Sequence, residues 1–378
     1  MAQVALAFAV LHIGGATDLG LVLLAREVPI VVFLLIGGVW ADRASRKLLL
    51  VAGDAVMGGV QAATALLLLT GHATVAAVAV LQIVFGTVTA FTRPATIGLI
   101  PQAVMPGHLQ EANALVDLGR STMRIAGPAI GAVIVVTANP GWALAADAAS
   151  FAVSALLRMQ MRIVRGELPG RSHMLAELRH GWVEFVARPW VWLMVSAFGL
   201  FQLTLFPAML VLGPVVAQTE LGGAGAWGAI LAAQAAGSVA GGILALHLRP
   251  RKPLVAACLL ALPVAAFLAL LGAAPSVVLL CAAAFVAAVG LTSCDIVWQT
   301  TFQRNIPSDL ISRLSSFDWF GSVALNPIGY ALVGPLSGRI GIPETLYLAA
   351  SVNAAVTIGV VLTPAIRGFR DRAVLRTA

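Results

Sequence analysis

Long apolar stretches recur along the chain, separated by short polar clusters. Pro189–Thr219, Leu221–Leu246, Pro253–Cys294 and Thr345–Ile366 contain no Asp, Glu, Lys or Arg. A membrane-crossing helix needs about 20 consecutive apolar residues, so each run supplies one span or two. The pattern predicts spans near residues 1–15, 19–40, 48–69, 74–99, 113–137, 141–161, 190–217, 224–246, 253–272, 276–301, 314–337 and 344–365. Turn signals mark the breaks: Gly14-Gly15, Thr70-Gly71-His72, Asn139-Pro140-Gly141, Gly222-Gly223 and Gly338 to Gly341. A β-barrel is excluded, because the runs are about twice the length of a barrel strand and do not alternate. The first span holds about 15 residues, about 22 Å of helix against a hydrocarbon core of about 30 Å. Met1 is therefore expected to lie inside an originally longer first helix, in an N-terminally truncated chain.

Composition agrees with this reading. The 378 residues are 60% hydrophobic and only 10% charged, against about 45–50% and about 25% in soluble domains. The net charge of +7 suggests nucleic acid until its distribution is considered. The basic residues lie in short clusters between spans, as topology signals do, and no nucleic-acid partner is expected. Of the 23, eighteen fall in loops on one side and only Arg339 on the other, while Arg26, Arg93, Arg120 and Arg124 lie within spans. The rich side, including the C-terminus, is thereby predicted to be cytoplasmic, placing the protein in the cell (inner or plasma) membrane.

The stretch Arg158–Arg188, with six Arg against Glu167, Glu177 and Glu184, divides the chain. The expected organisation is an N-terminal transmembrane bundle (1–162), a cytoplasmic linker (163–188), a C-terminal transmembrane bundle (189–366) and a cytoplasmic tail (367–378). In the linker Met174, Leu175, Leu178, Trp182, Phe185 and Val186 fall at helical spacing, predicting a short amphipathic helix on the lipid surface. The two halves echo each other. Gly37-Gly38-Val39-Trp40-Ala41 recurs as Gly241-Gly242-Ile243-Leu244-Ala245, each preceding a basic loop. Arg93 corresponds to Asp295, Pro106 to Pro307 and Gly127-Pro128 to Asn326-Pro327, at offsets that drift in one direction. Two similar bundles of about six helices, the first helix incomplete, give about 11–12 transmembrane helices and a transporter architecture.

The residues from Gly37 to Lys47, including Gly38, Asp42, Arg43 and Arg46, resemble the G-x-x-x-D-R-x-x-R-K loop signature of the major facilitator superfamily, between the second and third spans. Gly127-Pro128-x-x-Gly131 is similar to the G-P-x-x-G element of its antiporters. The run from Gln110 to Leu115, with Arg120 and Arg124 ahead of Gly127, resembles the drug:proton antiporter branch that contains enterobactin and macrolide exporters. The resemblance covers essentially the whole chain, with two departures. The early acid of this branch's first span is absent, and Leu246 stands where the front half has Asp42. The resemblance implies that Gly37, Gly38, Asp42, Arg43, Arg46, Lys47, Gly127, Pro128 and Gly131 serve gating. Asp42 would meet the N-terminus of the eleventh helix, and Arg43 and Arg46 would be braced by a carboxylate such as Asp54 or Glu111.

Charges inside a membrane are functional candidates by default. Here they are Arg26, Glu27, Asp54, Arg93, Asp117, Arg120, Arg124, Asp147, Asp295 and Asp318. Asp54, Asp117 and Arg120 lie near span ends, where a structural role is the better expectation, and Arg26 and Glu27 can pair locally. Arg93, Arg124 and Asp295 are the candidates for substrate or proton. Arg93 and Asp295 occupy matching places in the fourth and tenth spans. Three readings stay open: an ion pair between halves, separate satisfaction within each half, or an Asp295 that binds the proton or a cationic substrate.

Catalytic chemistry finds no support. The histidines are scattered without H-E-x-x-H, and Cys258, Cys281 and Cys294 form no C-x-x-C. No G-K-[ST] occurs, since Lys47 and Lys252 precede Leu48 and Pro253. No metal, cofactor or enzymatic activity is expected. The leading function is proton-coupled export of a hydrophobic or amphiphilic small molecule (a drug, macrolide or siderophore-like compound) by alternating access, from a monomer in the lipid bilayer. Uptake of another solute is the alternative; a polytopic membrane enzyme or a receptor explains the repeat and the loop signature less well.

Overall fold

A computed structural model describes residues 1–43, 45–103, 109–161 and 181–369. Among these the fold is all-α, without strands. The helices are α1 (Ala2–Ile13), α2 (Ala16–Arg43), α3 (Arg46–Leu69), α4 (Val75–Ala103), α5 (Leu109–Thr137) and α6 (Pro140–Gln160). They continue with α7 (Pro189–Pro207), a π-helical turn (Ala208–Leu212), α8 (Gly213–Glu220), α9 (Ala224–His247), α10 (Pro253–Ala261) and α11 (Pro263–Ala273). The last are α12 (Val277–Asn305), α13 (Ser308–Val323), α14 (Asn326–Ile340), α15 (Ile342–Leu362) and α16 (Pro364–Arg367). Eight stretches among the described residues are long and apolar enough to cross a membrane, and Ala2–Ile13 and Ala126–Thr137 are shorter apolar helices. Most of the amphipathic linker helix expected in 163–188 lies outside the described residues; 181–186 are helical.

Polar and apolar positions are distributed for lipid rather than water. Val278 and Leu246 are 80% and 76% exposed, whereas Gln82, Asn353 and Asp54 are buried. In a water-soluble fold that arrangement would be costly on both counts; in hydrocarbon it is the favourable one. Local chemistry sets the helix starts. The side chain of Asn139 accepts a 2.7 Å bond from Gly141 N–H, with Pro140 in the first turn, and Ser276 caps α12 through Leu279 N–H. The helices also break at proline. The span expected over 190–217 runs over Pro189–Glu220 but re-registers through the π-helical turn beside Pro207, which has no N–H to give. Pro263 divides the ninth expected span into α10 and α11, and the eleventh ends at Val323 and restarts at Asn326, ahead of Pro327.

The chain divides into two compact units: Met1–Arg171 with Gly222–Gly228, and Ser172–Leu221 with Ala229–Ala378. In the first unit α3 and α6 run antiparallel along a polar seam. Lys47, Asp54 and Gln61 recur every seven residues, two helical turns, and meet Met161, Ser154 and Asp147, spaced likewise. Beyond the Gln61–Asp147 contact the packing turns apolar: Ala5 of α1, Ala65, Ala143 and Leu144 form one buried cluster. α4 meets α2 at Gly86, where any Cβ would collide with the carbonyl oxygen of Arg26. The second unit uses the same device. A Cβ on Gly241 of α9 would lie 2.5 Å from the carbonyl oxygen of Val289, and Ser293 Oγ donates a 2.9 Å bond to Gly241 C=O. Such close approach is how membrane helices gain packing where the hydrophobic effect offers none.

Candidate functional site

The loop motif begins inside α2, which carries Gly37, Gly38, Asp42 and Arg43 to its last residue; Arg46 opens α3 behind Ser45. The side chains of 34–44 and of Arg46 lie outside the described residues. Lys47 is described, and its Nζ donates 2.7 Å bonds to the carbonyl oxygens of Met159 and Met161. A cation at the C-terminal end of α6 satisfies carbonyls that the helix leaves open and complements its dipole. Lys47 therefore ties α3 to α6 within the first unit.

Asp54 is held from α6: its Oδ1 receives Arg158 Nη1 at 2.9 Å and its Oδ2 receives Ser154 Oγ at 2.6 Å. The expected bracing of Arg43 and Arg46 by Asp54 or Glu111 rests on side chains outside the described residues. The seven-residue seam directs Asp54 across to α6. Arg158, which sequence alone assigns to the topology-setting loop cluster, belongs to the last turn of α6 and neutralises a buried acid. Gln61 Nε2 likewise donates a 2.7 Å bond to Asp147 Oδ2.

A second group surrounds Arg26. Its guanidinium carbon lies 4.4 Å from the centroid of the Phe85 ring, a cation–π contact made possible by the neighbouring Gly86. Glu27 is half-buried, within electrostatic range of Arg26 and Arg93. Arg93 is exposed on α4 and belongs to this acidic-basic neighbourhood of the first unit. On α5, Gly127 and Gly131 are buried, and a Cβ on Gly131 would sit 2.8 Å from Met1 Cα. These glycines seat α1, and Pro128 lies inside α5 between them. The side chain of Arg124 lies outside the described residues.

In the second unit Asp295 is exposed on α12, followed after one helical turn by Trp298 and Gln299. Across from them stands Asp318 of α13, 8% exposed. Trp298 Nε1 donates a 3.3 Å bond to Asp318 Oδ2, and the Gln299 amide lies nearby. Asp318 Oδ1 has no hydrogen-bond partner. The buried Trp298 is held by edge-on rings of Trp190 and Phe198, at 5.8 and 5.6 Å between centroids, and by Phe302. Sequence reasoning names Asp318 only as one intramembrane charge among ten. Its signal is a lone acid in a stretch of aromatic and apolar residues, and its pairing with Trp298 cannot be read from spacing. A separate groove of about 130 Å³ is lined by aliphatic groups such as Leu203, Pro207, Leu332 and Leu348. No group of three or more potential metal ligands occurs among the described residues.

Comparison with known proteins adds a wider frame. Residues 1–322 match the family model of the Major Facilitator Superfamily. The multidrug efflux pump Tap of Mycolicibacterium fortuitum is 26% identical over 364 residues, covering 90% of this chain and 85% of the pump. Among solved structures, a bacterial homologue of the iron transporter ferroportin, inward-facing, superposes with a TM-score of 0.73 at 15% identity, covering 96% of this chain and 95% of that one. A D-xylose–proton symporter gives 0.72 at 12% identity, with 98% and 95% covered. A bacterial homologue of the lysosomal transporter Spinster, inward-facing and unoccupied, gives 0.68 at 16%, with 97% and 91% covered.

Proposed function

The chain belongs to the major facilitator superfamily, a family of membrane transporters rather than enzymes, and from that premise we propose that it exports hydrophobic or amphiphilic small molecules in exchange for protons. The observation that carries this reading is the similarity to a multidrug efflux pump along nine-tenths of the chain. The aliphatic groove of the second unit suits apolar cargo, and intramembrane carboxylates supply groups able to take up and release protons. Alternating access would be governed by Gly37, Gly38, Asp42, Arg43, Arg46 and Lys47 at the loop and by Gly127, Pro128 and Gly131 in α5. Arg93, Arg124 and Asp295 are the proposed substrate or proton residues, Arg93 and Asp295 forming a pair that makes and breaks during the cycle. The excess of loop arginines on one side supports a plasma-membrane protein with a cytoplasmic C-terminus.

The test is ethidium accumulation in cells with and without the protein, each with and without a proton uncoupler. Export predicts lower accumulation in expressing cells and loss of the difference on uncoupling. Raised accumulation would establish uptake instead, and a difference that survives the uncoupler would remove the proton from the mechanism.

A further inference from the structure

Asp318 is the one described carboxylate that is buried in the second unit without a cation. α12 presents the indole of Trp298, the amide of Gln299 and the carboxylate of Asp295, with the thiol of Cys294 adjacent. Arg304 stands six residues beyond Trp298, about 9 Å along the helix. α7 carries no titratable side chain from Pro189 to Pro207. In the preceding helical segment Trp182 and Phe185 pack on Phe317, and Glu184 is engaged by Arg188 at 2.5 Å. On α13 itself the side chains of Asp309 and Arg313 lie outside the described residues. No basic group of the described residues lies within salt-bridge distance of Asp318.

A carboxylate offers about four acceptor positions. Asp318 uses one of them, for the long indole bond at Oδ2, and leaves the buried Oδ1 with none. Burying such a group in its charged form is costly unless it is paired. A proton on Oδ1 removes the charge and turns the orphaned acceptor into an O–H. One turn before Trp298, Asp295 is exposed and within electrostatic range of Asp318, so a second carboxylate adjoins the buried site.

Resting on the transport reading above, we propose that Asp318 is the group that binds and releases the coupling proton. The indole of Trp298 fixes its Oδ2, and Asp295 is the exposed carboxylate through which the proton exchanges with water. In the step, Oδ1 of the carboxylate takes one proton to become a neutral carboxylic acid, and the same proton later leaves to Asp295 or water. Trp298 is a positioning residue, since it acts through Asp318.

The test reads the carboxyl group directly and needs no substrate. Full-length protein in lipid nanodiscs is titrated from acid to alkaline pH while the carboxylic-acid C=O stretch is followed by infrared difference spectroscopy. The chain's 16 side-chain carboxylates give several titrating bands, and the wild-type-minus-Asp318→Asn difference is expected to isolate one of them, which persists in Asp295→Asn. Asp318→Glu restores a band at a shifted frequency, and Trp298→Phe moves the frequency without abolishing it, which a merely structural indole would not do. A folded Asp318→Asn that loses no titrating band relative to wild type, or an Asp295→Asn that alone loses the band assigned to Asp318, overturns the proposal. Should Asp318→Asn fail to fold, the shifts with Asp318→Glu and Trp298→Phe decide the matter, and unmoved frequencies in both overturn it. In proteoliposomes, Asp318→Asn should retain ethidium counterflow and lose ethidium transport driven by a pH gradient. Wild-type vesicles without counterflow would refute the transport of such compounds, and the infrared result would still decide the role of Asp318.

Discussion

Removing the Arg158 guanidinium tests whether the polar seam holds the first unit together. In Arg158→Met the apolar stem is kept, while Asp54, whose side chain is only 3% exposed, loses its cation and retains one bond from Ser154 Oγ. Breaking a buried ion pair by removing one partner costs about 3–5 kcal/mol, because the surviving charge is left uncompensated. The Arg158 side chain is 24% exposed and Ser154 still donates, so the cost here falls below that range, at about 2–3 kcal/mol. Asp54→Leu removes the acid and leaves an arginine that can turn to water, at about 1–2 kcal/mol. The double variant then has no buried charge to strand, and its loss should be smaller than the sum by about 1 kcal/mol or more. Equilibrium unfolding in mixed micelles, wild type and three variants, gives the cycle. If Arg158→Met is within about 0.5 kcal/mol of wild type, or the two losses simply add, the pair is not what joins α3 to α6.

Further substitutions test other parts of the fold and the proposed transport cycle. Gly86→Val should destabilise by about 3 kcal/mol, the upper end for overpacking, because the obstructing atom is the Arg26 carbonyl rather than a movable side chain; the micelle assay reads it. Lys47→Met removes two charge-assisted bonds at the end of α6 and should lower stability by about 1.5–3 kcal/mol, with Lys47→Arg recovering part of it. Asp42→Asn should impair ethidium export while leaving membrane insertion, measured by surface labelling, intact. For Arg93 and Asp295, each single charge reversal should abolish export and the double reversal, Arg93→Asp with Asp295→Arg, should restore part of it; a double variant with no recovery speaks against the pair.

Much of the fold is legible in the sequence because hydrocarbon imposes a simple rule: helices must be long, apolar and internally bonded. The charge-free runs locate the spans of the second unit, and Asn139-Pro140 and Gly222-Gly223 mark true breaks. The interruptions near Pro207, Pro263 and Pro327 are less legible, since proline inside an apolar run can kink, re-register or end a helix, and neighbouring packing decides which. The site divides in the same way. Charged residues inside spans identify themselves, but their partners do not. Asp54 and Arg158 are 104 residues apart, and only the facing of α3 on α6 brings them together. Trp298 and Asp318 lie on consecutive helices, yet which face of α12 meets α13 depends on rotations that sequence spacing does not fix.

The two units differ in how they handle buried acids, and that difference bears on mechanism. In the first unit Arg158 and Ser154 meet Asp54, Gln61 meets Asp147, the Gly15 N–H meets Asp18, and Arg26 and Arg93 lie around Glu27. Contacts of this kind hold helices in register. In the second unit Asp318 meets an indole, an amide and another acid, and one of its oxygens is left over. A membrane protein has ready means of avoiding that cost: an arginine on the neighbouring helix, as Arg158 shows, or an apolar residue in place of the acid. Cost without compensation in the resting fold is the arrangement expected where a group must change its charge during function, since a permanently paired carboxylate would resist the change. The described acids of the first unit brace its helices, and Asp318, the group proposed to change its charge, lies in the second.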